Sequence, residues 1–224
     1  MAFVIGFTGE TGKELVKELL QRKVFQKVVL IGRRKVELDG ELYQDVEQRV
    51  VDFDNLEQHK AAFENCSVGF CCLGTTRSKS GRDGFIKVDH DYVVNTAKVA
   101  HEQGCKHFSV VSSQGANKNS WFLYMKTKGL MEAHVAEIGF PRFTVFHPAF
   151  ILCDRQERRI GERLLMAAIK PMVWTMPTVG SVPANTIAKA MIADLWRKTE
   201  NKVDVIENRQ IHQLAKELDA SVEK

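Results

Sequence analysis

Two side chains that could exchange a proton, Tyr124 and Lys128, are spaced i, i+4 in the sequence. On a helix this spacing puts both side chains on one face. A tyrosine hydroxyl has an ordinary pKa of ~10, and a neighbouring ammonium group favours the phenolate, so the pair could exchange a proton with a carbonyl oxygen. A short way upstream, Ser113 could hold the same oxygen by a hydrogen bond, and Ser112 is the alternative.

The elements around this pair alternate between strands and helices. Short apolar runs predict strands buried on both faces, and stripes of apolar residues at helical spacing predict the helices between them. The strands are predicted at residues 2–7, 28–31, 49–51, 68–73, 107–111 and 143–146, and the helices at 12–22, 56–63, 88–102 and 121–138. This order predicts an α/β fold, a doubly wound parallel sheet with helices on both faces. The Tyr124 helix follows the fifth strand, which brings the pair to the sheet edge where such folds place reacting groups.

A glycine-rich turn joins the first predicted strand to the first predicted helix through Gly6, Gly9 and Gly12. Glycines at this spacing permit a tight turn whose backbone N–H groups, with the helix N-terminus, can hold a pyrophosphate. A Walker A loop does not fit, because its spacing differs and Glu14 follows Lys13 where a hydroxyl should bind magnesium. A protein kinase does not fit either, because the sequence lacks His-Arg-Asp and Asp-Phe-Gly. The turn therefore predicts a Rossmann-type dinucleotide site.

The residues after the second strand indicate which dinucleotide this site takes. NAD-binding domains carry an acidic residue there, which accepts a hydrogen bond from the ribose 2′-OH. In this sequence Gly32 is followed by Arg33 and Arg34, and guanidinium groups suit a 2′-phosphate. The predicted cofactor is therefore NADP(H), with the Thr8 hydroxyl as a further contact.

Two more strand ends are candidates for contact with the cofactor. Asp52 follows the third strand and could accept a hydrogen bond from the adenine amino group, although it could equally be a helix N-cap. Leu73 and Gly74 end the fourth strand, where the backbone should pass the cofactor.

The regular alternation weakens after Pro148. Helices are predicted at residues 163–169, 184–196 and 210–218, and a late strand at 203–206. In a doubly wound fold such a tail covers the carboxyl edge of the sheet and helps to shape a substrate pocket. We therefore expect one domain of 224 residues, with a cofactor-binding core at 1–148 and a small substrate-side extension at 149–224.

The composition narrows the partners and the compartment. The chain is 44% hydrophobic and 27% charged, as an ordinary globular domain is, and its net charge of +4 is spread over 32 basic and 28 acidic residues. Its basic clusters are too short for a nucleic-acid-binding arm, and no apolar stretch is long enough to span a bilayer. The histidines show no metal-ligand spacing, and five cysteines without CxxC spacing are predicted to be reduced thiols. We expect a cytoplasmic protein with no metal and no direct nucleic-acid contact.

Several runs of the sequence resemble the atypical short-chain dehydrogenase/reductases, and in particular their HIV Tat-interacting oxidoreductase branch. The runs that carry the resemblance are residues 5–12, 32–34, 69–77, 112–113, 124–128 and 152–157. The resemblance implies NADPH at the glycine turn and a catalytic tyrosine and lysine. The residues that it implies at the cofactor are Thr8, Gly9, Glu10, Thr11, Arg33, Arg34, Leu73, Gly74, Tyr124, Lys128, Ile151 and Arg159, the last two at the nicotinamide end.

The resemblance also implies a regulatory role through protein partners, in nuclear import, transcription, apoptosis or endosomal trafficking, and hence presence in the nucleus as well. One departure concerns Asp89, which stands where the wider superfamily often has an asparagine that supports a proton relay. Two hypotheses therefore remain. The first is an NADPH-dependent oxidoreductase that acts on an unidentified carbonyl substrate through Ser113, Tyr124 and Lys128. The second is a regulatory protein that binds NADPH with little or no turnover.

Overall fold

The predicted alternation of strands and helices is present in the structure, a computed structural model that describes residues 1–152 and 180–222. The strands of these residues are β1 (Ala2–Ile5), β2 (Val28–Gly32), β3 (Glu47–Val50), β4 (Val68–Cys71), β5 (His107–Val111), β6 (Arg142–His147), β7 (Phe150–Leu152), β8 (Ser181–Pro183) and β9 (Val203–Glu207). The α-helices are α1 (Glu10–Gln21), α2 (Arg77–Ile86), α3 (Tyr92–Glu102), α4 (Leu123–Glu137), α5 (Ala184–Ala193) and α6 (Asn208–Val222).

One parallel sheet organises the molecule, with the strand order β3-β2-β1-β4-β5-β6-β9. From β1 the chain first builds outward through β2 and β3, and it then returns to add β4 on the other side of β1. The carboxyl ends of β1 and β4 therefore border the point where the winding direction changes, which is where open α/β sheets bind their ligands. The prediction of a doubly wound Rossmann-type sheet is confirmed.

Alternate residues of the strands fill two cores, one on each face of the sheet. On one face Phe3, Phe108 and Phe143 pack beneath α3 and α4. On the other face Val4 and Phe146 pack beneath α1, α5 and α6. Both faces exclude water from the central strands, so β1, β2 and β5 are nearly continuous apolar runs in the sequence. Because residues beyond 180 complete the second core, this part of the extension is integral to the fold.

The segment between β4 and α3 differs from the prediction. The sequence predicts a single helix from residue 88, but the structure has α2 at Arg77–Ile86, then a π-helical turn at Lys87–Asp91, and then α3. Helix α2 has no apolar stripe and buries only Phe85, and Gly81 interrupts it with a φ of 72°. Apolar periodicity, the signal used for the prediction, is absent from such a helix.

Smaller differences occur elsewhere in the described residues. The predicted helix at 56–63 is a 3₁₀-helix, with a kink at His59. Strands β7 and β8 form a separate parallel pair. Each has only three residues, which is too short for a recognisable strand pattern in the sequence. The predicted helix at 163–169 lies outside the described residues.

Candidate active site

The glycine turn between β1 and α1 is folded tightly against the end of β4. Gly6 has a φ of 74°, and a Cβ added to it would lie 2.4 Å from the backbone carbonyl of Cys72. A Cβ on Gly12 would lie 2.3 Å from the carbonyl oxygen of Gly6, while the Gly9 N–H donates to that oxygen at 3.0 Å. Only glycine leaves the space that this turn needs at both positions.

The turn presents backbone where an anion could bind. Thr8 and Gly9 are exposed, whereas Thr11 and Gly12 are buried in the first turn of α1, and Glu10 is half-buried. The N-cap residue of α1 is Gly9, and no side chain of the described residues caps the helix there. The first N–H groups of α1 therefore keep their capacity to bind a phosphate, and the turn fits the dinucleotide predicted for it.

Both arginines after β2 are at the surface, next to this turn in the fold. Arg33 and Arg34 are exposed, and within the described residues neither guanidinium group forms a salt bridge. Strand β2 neighbours β1 in the sheet, so the two side chains follow the strand end beside the glycine turn. This location suits the 2′-phosphate contact predicted for them.

Asp52 lies in an exposed turn and does not cap the following helix. Its carboxylate accepts a hydrogen bond from the backbone N–H of Asp54 at 2.9 Å and one from the side chain of Asn55 at 2.8 Å. These two hydrogen bonds, the one from Asn55 first, lower the pKa of Asp52. The N-cap position of the 3₁₀-helix belongs to Asn55. The N-cap interpretation is therefore wrong, and the adenine contact stays a prediction.

Helix α4 carries Tyr124 and Lys128 on one face, but their environments differ. Tyr124 is 44% exposed, and its ring stacks on Phe85 of α2 with 5.6 Å between the ring centroids. Lys128, one turn further on, is only 4% exposed. The phenol can thus reach a substrate, whereas the ammonium group acts from within the protein.

Lys128 is held by an ion pair with Asp89, whose carboxylate is 2.8 Å from the ammonium nitrogen. Burial alone would lower the pKa of Lys128, but the charge of Asp89, together with Tyr124, outweighs burial and raises it. Lys128 is therefore a cation despite its burial. The other oxygen of Asp89 accepts the backbone N–H of Thr75, which directly follows Leu73 and Gly74.

The two serines at the end of β5 have different surroundings. The Ser112 hydroxyl is buried and donates a hydrogen bond to the carboxylate of Glu132 on α4. Ser113 is half-buried, and its hydroxyl donates only a long hydrogen bond, 3.3 Å, to the carbonyl of Gln114. Of the two, Ser113 is the better candidate to bind a substrate oxygen, because Ser112 already has a carboxylate partner.

A cleft of about 600 Å³ lies at this end of the sheet. Its walls include Ser113 from the end of β5, Tyr124 from α4, and Pro148 and Ile151 from the chain after β6. The predicted contact residue Ile151 therefore lines the same cleft as the tyrosine and the serine, whereas Arg159 lies outside the described residues. The cleft is large enough for a small organic substrate.

A polar cluster behind the cleft was not predicted. Glu132 accepts hydrogen bonds from Ser112 and from His147 at 3.0 Å, and the other ring nitrogen of His147 is 3.1 Å from Glu207. Burial alone would lower the pKa of His147, but Glu132 and then Glu207 outweigh it and raise the pKa. One signal in the sequence was available, because Glu132 follows Lys128 by one helical turn and so lies on the same face of α4.

Residues 1–152 and 180–222 contain no group of three or more His, Cys, Asp or Glu side chains arranged to hold a metal ion. They also contain no helix that is both long and apolar enough to cross a membrane.

The sheet order, the glycine turn at the switch point and the exposed strand ends define a dinucleotide-binding protein. The chain belongs to the NAD(P)H-binding family, whose model matches residues 6–195. Among individual proteins, Protein HTATIP2 of Rattus norvegicus is 46% identical over 217 residues, which cover 97% of this chain and 90% of that protein. The relationship predicted from the sequence motifs is thus confirmed, as is an NAD(P)H cofactor.

More distant relatives and solved structures agree with this assignment. The mitochondrial protein FMP52 of Debaryomyces hansenii is 36% identical over 160 residues, covering 70% of this chain and 69% of the relative. The structure of MoeE5 in complex with UDP-glucose and NAD superposes with a TM-score of 0.68 at 14% identity, covering 98% of this chain and 82% of that one. The triphenylmethane reductase of Citrobacter sp., complexed with NADP(H), superposes with a TM-score of 0.62 at 17% identity, covering 91% of this chain and 68% of that one. At these identities the two structures show the shared fold alone.

Proposed function

We propose that this protein is an NADPH-dependent oxidoreductase that reduces a small-molecule carbonyl. The observation that supports the proposal most directly is the cleft at the carboxyl edge of the sheet, which Ser113 and Tyr124 both line, with Lys128 buried one turn below the tyrosine. A hydrogen-bond donor and a proton donor thus face one space, and a fixed positive charge supports the proton donor.

The proposed roles follow from the chemistry of each side chain. Ser113 donates a hydrogen bond to the carbonyl oxygen and orients it. Tyr124 gives its phenolic proton to the same oxygen as negative charge develops there, and Lys128 stabilises the resulting phenolate. When bound, the reduced nicotinamide supplies the hydride.

The proton donation by Tyr124 is tested by Tyr124→Phe, with Tyr43→Phe as the matched control. Tyr43 is a half-buried tyrosine in the 3₁₀-turn at Glu41–Tyr43, away from α4. A panel of aldehydes and ketones is screened with the wild type by loss of NADPH absorbance, and the variants follow on any carbonyl that is reduced. We expect Tyr124→Phe to lose at least about 100-fold in kcat, the usual contribution of a general acid, with NADPH affinity kept. Full activity of Tyr124→Phe would remove this role.

The preference for NADPH over NADH is the second part of the proposal, and Arg33 and Arg34 support it. We expect the wild type to bind NADPH at least about ten-fold more tightly than NADH, equivalent to about 1.4 kcal/mol from charge-assisted contacts. In the double variant Arg33→Ala/Arg34→Ala this difference should vanish, while Arg209→Ala, which removes an exposed arginine on α6, should keep it. Equal affinity of the wild type for both coenzymes would contradict the 2′-phosphate assignment.

The alternative proposal is a regulatory protein that binds NADPH and acts through protein partners. The ion pair between Lys128 and Asp89 favours this alternative, because the negative charge of Asp89 offsets part of the positive charge that would otherwise act on Tyr124. Tight NADPH binding without turnover of any carbonyl in the panel would support this alternative. The proposed cellular location of the protein, under either function, is the cytoplasm and the nucleus. Imaging of the tagged full-length chain tests this, with mitochondria as the competing result because the FMP52 relatives are named mitochondrial.

A further inference from the structure

Asp89 connects two parts of the candidate site that are far apart in the sequence. It lies in the π-helical turn between α2 and α3 and is 1% exposed. One carboxylate oxygen is 2.8 Å from the ammonium nitrogen of Lys128 on α4, and the other accepts the backbone N–H of Thr75 at 2.8 Å. Gly74 is adjacent, since a Cβ there would be 3.5 Å from Asp89 Oδ1. Both oxygens of this buried carboxylate are therefore in use.

We propose that Asp89 is a positioning residue of this site, whose carboxylate fixes the Lys128 ammonium beneath Tyr124 and ties it to the cofactor-side loop after β4. The inference rests on the proposed function, because it assigns a role relative to the catalytic tyrosine. It adds a residue that has no part in the proton and hydride transfer proposed above, and a physical link between the loop at Gly74 and helix α4.

The electrostatics of Lys128 explain why the site needs this carboxylate. Buried lysines lose their proton readily, with pKa values lowered by up to roughly 3–5 units in apolar surroundings. The groups that face Lys128 are Asp89 from the π-helical turn, Tyr124 from its own helix and Cys71 from β4. Burial raises the pKa of the Cys71 thiol to about 12, so this thiol is neutral at physiological pH. Asp89 is therefore the anion that keeps Lys128 charged.

Titration of Lys128 itself tests the inference without any need for a substrate. The full-length protein is labelled with ¹³Cε-lysine, the Lys128 resonance is assigned by its loss in Lys128→Met, and the pH dependence of its chemical shift is followed. We expect Asp89→Asn to lower the pKa of Lys128 by at least roughly 1 unit, because burial is then no longer offset. Asp91→Asn is the matched control, since Asp91 lies two residues further on, is exposed, and pairs with His90 instead. An unchanged Lys128 titration in Asp89→Asn would overturn the proposal.

A pH profile separates positioning from a general structural role. If a carbonyl is reduced, the basic limb of kcat against pH should move to lower pH in Asp89→Asn, and Asp89→Glu should restore it in part. Higher turnover in Asp89→Asn at every pH would mean that the carboxylate only weakens Lys128, and would overturn the proposal. If no carbonyl is reduced, the proposed function fails, while the lysine titration still decides the role of Asp89.

The folding of the variants provides a third criterion, because a buried lysine without its partner can destabilise the chain. If Asp89→Asn does not fold, the double variant Asp89→Asn/Lys128→Met removes both charges. Recovery of a folded protein in the double variant, measured by its urea unfolding transition, would support the pairing. Failure of the double variant to recover would contradict it.

Discussion

Replacing Gly6 by alanine should damage the glycine turn in a way that the structure makes quantitative. Gly6 has a φ of 74°, and the added Cβ would lie 2.4 Å from the carbonyl of Cys72, the residue that follows β4. Gly139 is the matched control, because it also has a positive φ, 86°, yet a Cβ there would have nothing within 4 Å. Both variants place alanine in the left-handed region, and only Gly6→Ala adds a clash.

The two contributions can be estimated separately. The left-handed conformation costs an alanine roughly 1–2 kcal/mol, partly offset by the lower entropy of its unfolded chain, so Gly139→Ala should lose about 1 kcal/mol. Overpacking against backbone typically adds about 1–3 kcal/mol. The contact at Gly6 cannot be relieved by a side-chain rotation, because the partner atoms are the backbone of Cys72. Gly6→Ala should therefore lose about 3 kcal/mol of unfolding free energy, a sizeable part of a typical total of roughly 5–15 kcal/mol.

Urea unfolding and NADPH titration together measure this prediction. The unfolding midpoint should fall further in Gly6→Ala than in Gly139→Ala, at an unchanged m-value. NADPH affinity, followed by coenzyme fluorescence, should weaken at least about ten-fold in Gly6→Ala, since the turn must move from β4, and stay at the wild-type level in Gly139→Ala. Equal losses of stability in the two variants, or full NADPH affinity in Gly6→Ala, would refute the reasoning.

Two further predictions concern titratable groups near the site. The raised pKa of His147, caused by Glu132 and Glu207 against the opposing effect of burial, means that its protonated form stabilises the fold. This stabilisation is complete below the unfolded pKa of ~6.5 and is lost as pH rises through the folded pKa. The wild type should therefore exceed His147→Gln in unfolding free energy by less at pH 9 than at pH 6. A pH-independent difference would contradict this. Burial raises the pKa of the Cys71 thiol to about 12, so alkylation of the native protein followed by peptide mapping should leave Cys71 unmodified, and urea should expose it.

The sequence was sufficient for the sheet because each central strand is buried on both faces. An apolar run such as β1 must be covered on both faces, because exposing either face to water is unfavourable. The glycine turn after β1 then indicates where α1 begins. These are local signals, and they predicted the strands and the helices α1, α3 and α4 to within a few residues. Helix α2 escaped prediction because it buries only Phe85, and the β7–β8 pair escaped because each strand has only three residues.

The candidate site was predictable in its members but not in its contacts. The i, i+4 spacing predicts that Tyr124 and Lys128 share a face of α4, but it carries no information on which of them is exposed. That difference arises from tertiary packing: Tyr124 stacks on Phe85 of α2 and stays 44% exposed, while Lys128 is buried beside Asp89. The choice between Ser112 and Ser113 likewise depended on Glu132, which the sequence places twenty residues away.

The burial and the contacts of Asp89 could be known only from the tertiary structure. Read as part of a regular helix, it is an aspartate among the polar residues Lys87, His90 and Asp91, and it offers no apolar spacing to mark it as buried. The π-helical turn at Lys87–Asp91 departs from the 3.6-residue period on which such a reading depends, and such turns recur at functional sites. In the structure Asp89 contacts Lys128 and Thr75 in the interior, while the next residue, His90, forms a hydrogen bond with His134 on α4. An ionised carboxylate with 1% exposure is stable only beside a cation and a donor, so the π-helical turn and the charge of Lys128 depend on each other.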